Sequence, residues 1–390
     1  MRSNNLWFEI KYFPKLLVVL AIAFSFSCQS GEKEGNTIPN SYSLEIIDSL
    51  VVDYLGVLAW ADISKNGELF LALEWNTDET FLIDNQGKIL QKFKNRGDGP
   101  ETIGGGVFSL PKFVESNSFA VMGRKGIYVF DLHGKLKRLI SPEFDVSLAL
   151  YPYGAENLLV VGENEFLAWL PGRSLGEFYY DRRDGTKLEW FGNEQKGVIP
   201  TPANSRFSAD KAFPLPGESP KFRSNQNIIY FAFQNEPIIY QYKADLETFH
   251  PKAISLPMND FQLSKGKDWK EVNPHEIQLT TRDLHYGEIE NFWIIKDQIL
   301  VLYKNGILDS EFISLEERFS DRQEFLKGVR QRNTLKAGML DKDGNFSPLI
   351  MPSNLKSINF IDDEYIWITL NTEIEQDYEV LYKARINSII

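Results

Sequence analysis

Residues 67–93 read GELFLALEWNTDETFLIDNQGKILQKF: a polar start, an apolar strand to Trp75, a short break, a second strand from Thr80 to Asp84, a turn of Asn, Gln, Gly and Lys, and a third strand from Ile89 to Phe93. Side chains of a half-buried strand alternate between core and solvent, and Asn/Asp-Gly turns join antiparallel neighbours. The stretch is therefore a three-stranded meander. The same order returns at 118–140, 157–191, 227–256, 298–351 and 364–383. In the third copy the strands expected are 157–161, 178–181 and 188–191, and in the fifth a long interruption separates 298–303 from 336–341. Another apolar segment precedes each copy, at 57–63, 107–114, 148–153, 289–295 and 355–361, and near Phe207 to Leu215 for the fourth.

Six copies of a four-stranded unit predict an all-β fold, a six-bladed β-propeller. The ends of the chain support this. The sixth copy lacks a fourth strand, and Ser43 to Val52 is a spare one. Pairing it into the last blade closes the ring and removes the open sheet edges. A pair of sandwiches or a large barrel is the alternative, and neither accounts for six equivalent hairpins plus an orphan strand.

The stretch Asn95-Arg-Gly-Asp-Gly-Pro-Glu101 and the Asp84-to-Lys88 turn resemble segments of TolB-like six-bladed propeller lipoproteins. The resemblance implies the same fold and an envelope location, and little chemistry, since many such proteins are of unknown function.

The start of the chain carries an address. Arg2, Lys11 and Lys15 precede an apolar run from Leu16 to Phe26, broken only by Ser25, and the single cysteine, Cys28, follows Ser27. A basic start, a short apolar core and small residues form a secretion signal. The run is shorter than the roughly 20 residues a membrane-spanning helix needs. Ser25-Phe26-Ser27-Cys28 resembles a lipobox, which makes Cys28 the expected lipidation site, although a Leu is more usual three places before the cysteine. An ordinary signal with a chance cysteine is the alternative. The domains expected are a signal peptide at 1–27, a flexible tether at 28–42 and the propeller at 43–390, held to the outer membrane through Cys28. Net charge is −12, and loss of residues 1–27 makes it −14. Such a surface repels phosphate backbones, so nucleic acid is not an expected partner.

The longest insertions, 162–176, 192–205, 257–286 and 304–333, connect second to third strands or blade to blade, and both connection types lie on one face. Ser314 with Glu317 and Ser320 with Gln323 have capping-box spacing inside the last insertion, which predicts helix there. Binding-face candidates are Trp75, Arg96, Asp98, Trp169, Trp269 and Tyr286. Exposed Trp suits sugar or peptide, and anchoring of the loops is the structural alternative. Arg282, Asp283 and His285 are weak catalytic candidates: a His beside carboxylates can act as a general base, and a solvated charged loop explains the run equally. Asp341-Lys-Asp343-Gly-Asn345 hints at a calcium loop but lacks its terminal glutamate, so a hairpin turn is expected. No cofactor or metal site is expected. The reading is a monomeric, lipid-anchored binding protein for a protein, peptide or glycan. A polymer hydrolase or lyase, or an outer-membrane assembly component, are the alternatives.

Overall fold

The computed structural model describes residues 41–389, apart from 95, 98, 100–101, 105, 142–157, 170–185, 193–195, 209–210, 214–219, 244–250, 272–279, 363–364 and 373–375. Residues 40–389 pack as one compact unit. The architecture is all-β, in antiparallel meanders of propeller type. The first sheet is β2 (Ala59–Ile63), β3 (Leu69–Glu74), β4 (Glu79–Asp84) and β5 (Ile89–Lys94), in that order. The second is β6 (Lys112–Val114), β7 (Ser118–Gly123), β8 (Gly126–Asp131) and β9 (Leu136–Ile140). The third is β10 (Leu158–Gly162), β11 (Glu165–Trp169), β12 (Thr186–Phe191) and β13 (Lys196–Pro200). The fourth is β15 (Pro220–Asn225), β16 (Ile228–Phe233), β17 (Ile238–Lys243) and β18 (Lys252–Ser255). β14 (Lys211–Ala212) pairs with β19 (Lys267–Asp268) across two connections.

An eight-stranded sheet completes the body. It joins the meander β20 (Glu288–Ile295), β21 (Gln298–Lys304), β22 (Lys336–Leu340) and β23 (Phe346–Ile350) to another made of β24 (Leu355–Asp362), β25 (Tyr365–Leu370), β26 (Glu379–Ile389) and β1 (Ser41–Val52). The two halves are joined into one sheet where Tyr42 and Ser43 run parallel to Leu349 and Ile350. β1 runs antiparallel to β26 from Ser41 opposite Ile389 to Val52 opposite Glu379, with a bulge at Ile46/Asp48. The N-terminal strand is thus the fourth strand of the final meander. The first strands of successive meanders touch in a cycle, β2 to β6, β10, β15, β20, β24 and back to β2.

Burial explains the strand order. Middle strands such as β7 and β16 are buried along nearly their whole length, whereas the outer strands β5 and β9 are largely exposed or partly exposed. The core is aromatic: Phe70 meets Trp367 of another sheet edge-on at 5.0 Å, and within the fourth sheet Phe231 stacks on Tyr240 at 5.2 Å. The turn device recurs. One carboxylate oxygen of Asp84, Asp131 and Asp341 accepts from backbone N–H groups two and four residues on, while Gly87, Gly134 and Gly344 take φ of 83°, 82° and 87°. Asp341 is therefore occupied in a turn of the kind short Asp side chains favour.

Two expectations shift. The third meander is displaced by one strand. β10 and β11 form a tight hairpin about Glu163 and Asn164, so 162–176 is not one insertion, and 192–205 contains β13. The first strand of the fourth meander is β15, later than Phe207 to Leu215. The signal, Cys28, residues 29–40 of the tether and Asp98 lie outside the described residues, while Ser41 and Tyr42, expected in the tether, open β1.

Candidate functional site

In an antiparallel meander successive turns alternate between the two ends of the sheet. Second-to-third-strand loops and inter-sheet connections therefore share one face, and the remaining turns share the other. The long elements obey this. Two helices, α1 (Asp309–Arg318) and α2 (Arg322–Arg332), fill the β21–β22 loop. A 3-10 turn at Arg282–His285 precedes β20, and another at Trp269–Glu271 follows β19. α2 is capped by Asp321, whose carboxylate accepts from Gln323 and Glu324 N–H, and not by Ser320; Ser314 lies inside α1. Phe312, Leu315, Phe325 and Val329 give the helical hairpin its own small core.

Arg282 fastens that hairpin to the sheets. Its guanidinium donates to Asp309 Oδ1 at 2.9 Å, to the Ile307 carbonyl at 2.6 Å and to the His285 carbonyl at 3.0 Å, and lies 3.7 Å from the centre of the Tyr286 ring. Lys265 pairs with the other Asp309 oxygen at 3.0 Å. Hydrogen bonds from Lys265 and Arg282 hold the Asp309 carboxyl below its ordinary value. Asp283 accepts from the Thr280 N–H and hydroxyl. His285 is half-buried against Phe312; burial, then the charges of Arg282, Lys304 and Arg330, push its pKa down. Among the described residues no side-chain hydrogen bond joins His285 to a carboxylate. Arg282, Asp283 and His285 are thus neighbours on one 3-10 turn, with Arg282 clamped to Asp309 and Asp283 bound to Thr280.

The other candidates separate. Trp75 follows β3 on the loop-rich face, half-buried against the neighbouring sheet. Arg96, 69 % exposed, reaches the buried Asp78 at 3.9 Å on that same face. Trp169 ends β11 and is 4 % exposed in the core, so it is not offered to a ligand. Trp269 opens a 3-10 turn, and its side chain lies outside the described set. Around the clamp, Leu263, Leu284, Leu308 and Ile313 are 47 %, 52 %, 50 % and 52 % exposed. Backbone bonds from Ile307 to His285 and from Gln262 to Asn305 bring their segments together.

Two polar groups were not visible as sites in the sequence. Where β20 leaves the loop-rich face, Lys304 Nζ lies 2.8 Å from Glu290 and 3.2 Å from Glu288. Burial and then the charge of Glu290 raise the Glu288 pKa; burial opposes ionisation of Glu290 too, but Lys304 outweighs it and holds that carboxyl low. The signal is acids two residues apart at the start of a first strand whose other residues, apart from Asn291, are apolar. The second group surrounds a cavity of about 520 Å³ at the opposite, tight-turn end. All six first strands line it, together with the turn residues Lys65, Glu115, Glu163 and Gln226. The long loops predict a site at the loop-rich end; this cavity lies at the other.

No protein-family model matches the chain. No curated protein matches it in sequence. Solved structures do. A member of the DUF4221 family from Bacteroides vulgatus superposes with a TM-score of 0.57 at 10% identity, covering 90% of this chain and 100% of that one. A protein from Bacteroides fragilis described as exported gives 0.50 at 12% identity, over 90% and 97%. BamB from Moraxella catarrhalis gives 0.42 at 9% identity, over 88% and 99%. At such identities the first two likenesses show a shared fold.

Proposed function

We propose that the chain is an envelope binding protein: a closed six-bladed propeller of TolB-like type, tethered by lipid at Cys28 to the outer membrane. The loop-rich face is offered to a partner. Support for the ring comes from the cyclic contact of the six first strands and from β1 in the last meander. Support for export comes from the apolar run before Cys28 and from the same fold in a protein described as exported. A lipidated cysteine carrying two or more chains anchors stably, at about 0.8 kcal/mol per buried CH₂.

The observation that carries the binding role is the set of exposed aliphatic residues Leu263, Leu284 and Leu308 around the clamp and Ile313 on α1, with the exposed ion pair of Lys265 and Asp309 beside them. An apolar centre with a charged rim is the anatomy of a protein interface. Aliphatic side chains favour a protein or peptide over a glycan, because sugars stack on flat rings.

The test captures partners from envelope membranes on immobilised wild type and on Leu284→Asp/Ile313→Asp. One partner held by wild type, and lost by a variant of unchanged melting temperature, is expected. Equal capture by both proteins removes the face from the account. For the anchor, radiolabelled palmitate is expected in wild type and absent from Cys28→Ala; equal labelling of the two refutes lipidation.

A further inference from the structure

The cavity at the tight-turn end is chemically two-sided. Taken in ring order, β15 places Arg223 so that it donates to Asn291 Oδ1 on β20 at 2.6 Å, with its guanidinium 5.5 Å from the Trp293 ring centre. β24 contributes Asn359. β6 contributes Lys112, whose Nζ donates to the Ala61 carbonyl on β2 at 2.8 Å. The donors thus gather along the arc β20–β24–β2. The wall from β6 to β10 is apolar: Phe113, then Leu158 to Val161, with no polar side chain on β10 until the turn at Glu163.

Within the polar arc, Asn359 Oδ1 accepts from the Ser357 hydroxyl at 2.9 Å. Its Nδ2 is shielded from solvent and has no hydrogen-bond partner among the described residues. A shielded amide N–H without an acceptor costs about 1–3 kcal/mol, and Asn359 is one of the residues that line the cavity. Asp62, also in the arc, accepts from the Phe113 N–H at 2.8 Å. Lys112 and Arg223 against Asp62 leave the wall positive. Lys65, Glu115 and Glu163 are exposed, so the lining as a whole carries equal numbers of cations and carboxylates and the positive excess is confined to its less exposed part. Farther along β20, Glu288 and Glu290 face Lys304 and Lys221.

We infer that this cavity is a binding site for a small organic carboxylate with an apolar body. Its anionic end lies against Arg223 and Asn359, and its body against Phe113, Leu159 and Val161. The volume falls within the roughly 300–1,000 Å³ of small-molecule pockets. Hydrogen bonds to an ionised acceptor are about twice as strong as neutral ones, which sets carboxylate above alcohol. The site lies at the end of the body opposite the proposed partner face, so the two readings stand or fall separately.

The probe is 3-(4-fluorophenyl)propanoate, followed by fluorine NMR against the unit that starts at Asn40, with the matching alcohol and amine as controls. The carboxylate is expected to bind in the millimolar range or tighter, and the amine about tenfold more weakly or worse, a difference of about 1.4 kcal/mol. Arg223→Gln and Asn359→Leu, checked for unchanged melting, are expected to weaken carboxylate binding while leaving the alcohol as in wild type. An amine that binds as well as the carboxylate overturns the inference even if neither variant folds. So does an absence of binding by the carboxylate, or full-strength binding to a folded Arg223→Gln.

Discussion

At the residue scale the fold rests on small, repeated conformational devices. Gly87 shows what one demands. Its φ of 83° belongs to the left-handed region, and a Cβ there would stand 1.9 Å from the Val51 carbonyl oxygen of β1. The glycine thus serves both its own hairpin and the passage of the N-terminal strand. Gly87→Ala should cost at least about 2 kcal/mol, the left-handed penalty plus displacement of backbone. Urea unfolding checks this, with Gly344→Ala as the comparison: the same φ class but nothing within 4 Å of the added carbon. Equal losses at the two positions would contradict the role given to Val51. The Asp-x-x-Gly signature was readable in the sequence because turn chemistry is local. The cavity residues were not. Arg223 and Asn359 look like ordinary polar positions until six separate strands are brought side by side.

At the element scale the helical hairpin depends on a few charged contacts. Asp309 is held below its ordinary pKa by Lys265 and Arg282. A depressed carboxyl contributes fully above its unfolded value of about 3.9, and the contribution is lost as pH falls through the lower folded value. Asp309 is 44 % exposed, so the effect is local. Amide exchange in 309–332 should be level from neutral pH down to about 4 after correction for intrinsic rates, then quicken before the sheets do. Asp309→Asn should exchange quickly throughout and lose that dependence. Quickening already near pH 6, or a variant that keeps the wild-type profile, contradicts the clamp. Strand content was legible here, because apolar alternation persists wherever a strand has one wet face. The third meander slipped because Leu-Leu-Val-Val and Phe-Leu-Ala-Trp are both short apolar runs, and only the two polar residues between Gly162 and Glu165 mark a hairpin. Helix was foreseen in the right insertion, but the cap is Asp321, one residue beyond the spacing read from Ser320.

At the scale of the whole molecule, the account depends on how the two chain ends meet. β1 extends beyond the other outer strands, pairs with β26 along its length and touches β23 at its start. That arrangement was legible because the last repeat lacked a strand and the N-terminus had one to spare, a deficit that survives uncertainty about any single boundary. Facing residues of an antiparallel pair have Cα atoms about 4.5–5.5 Å apart, inside the range a disulfide spans. The most direct test is therefore a cysteine pair, Ser43→Cys with Asn387→Cys, in a chain whose Cys28 is replaced by Ser. These positions face each other in the observed register. On oxidation, mass spectrometry of unreduced peptides should find one intramolecular link, and the unfolding midpoint should rise until reductant is added. Thiols that stay free, or that link only between molecules with the midpoint unmoved, would mean that β1 does not close the final meander.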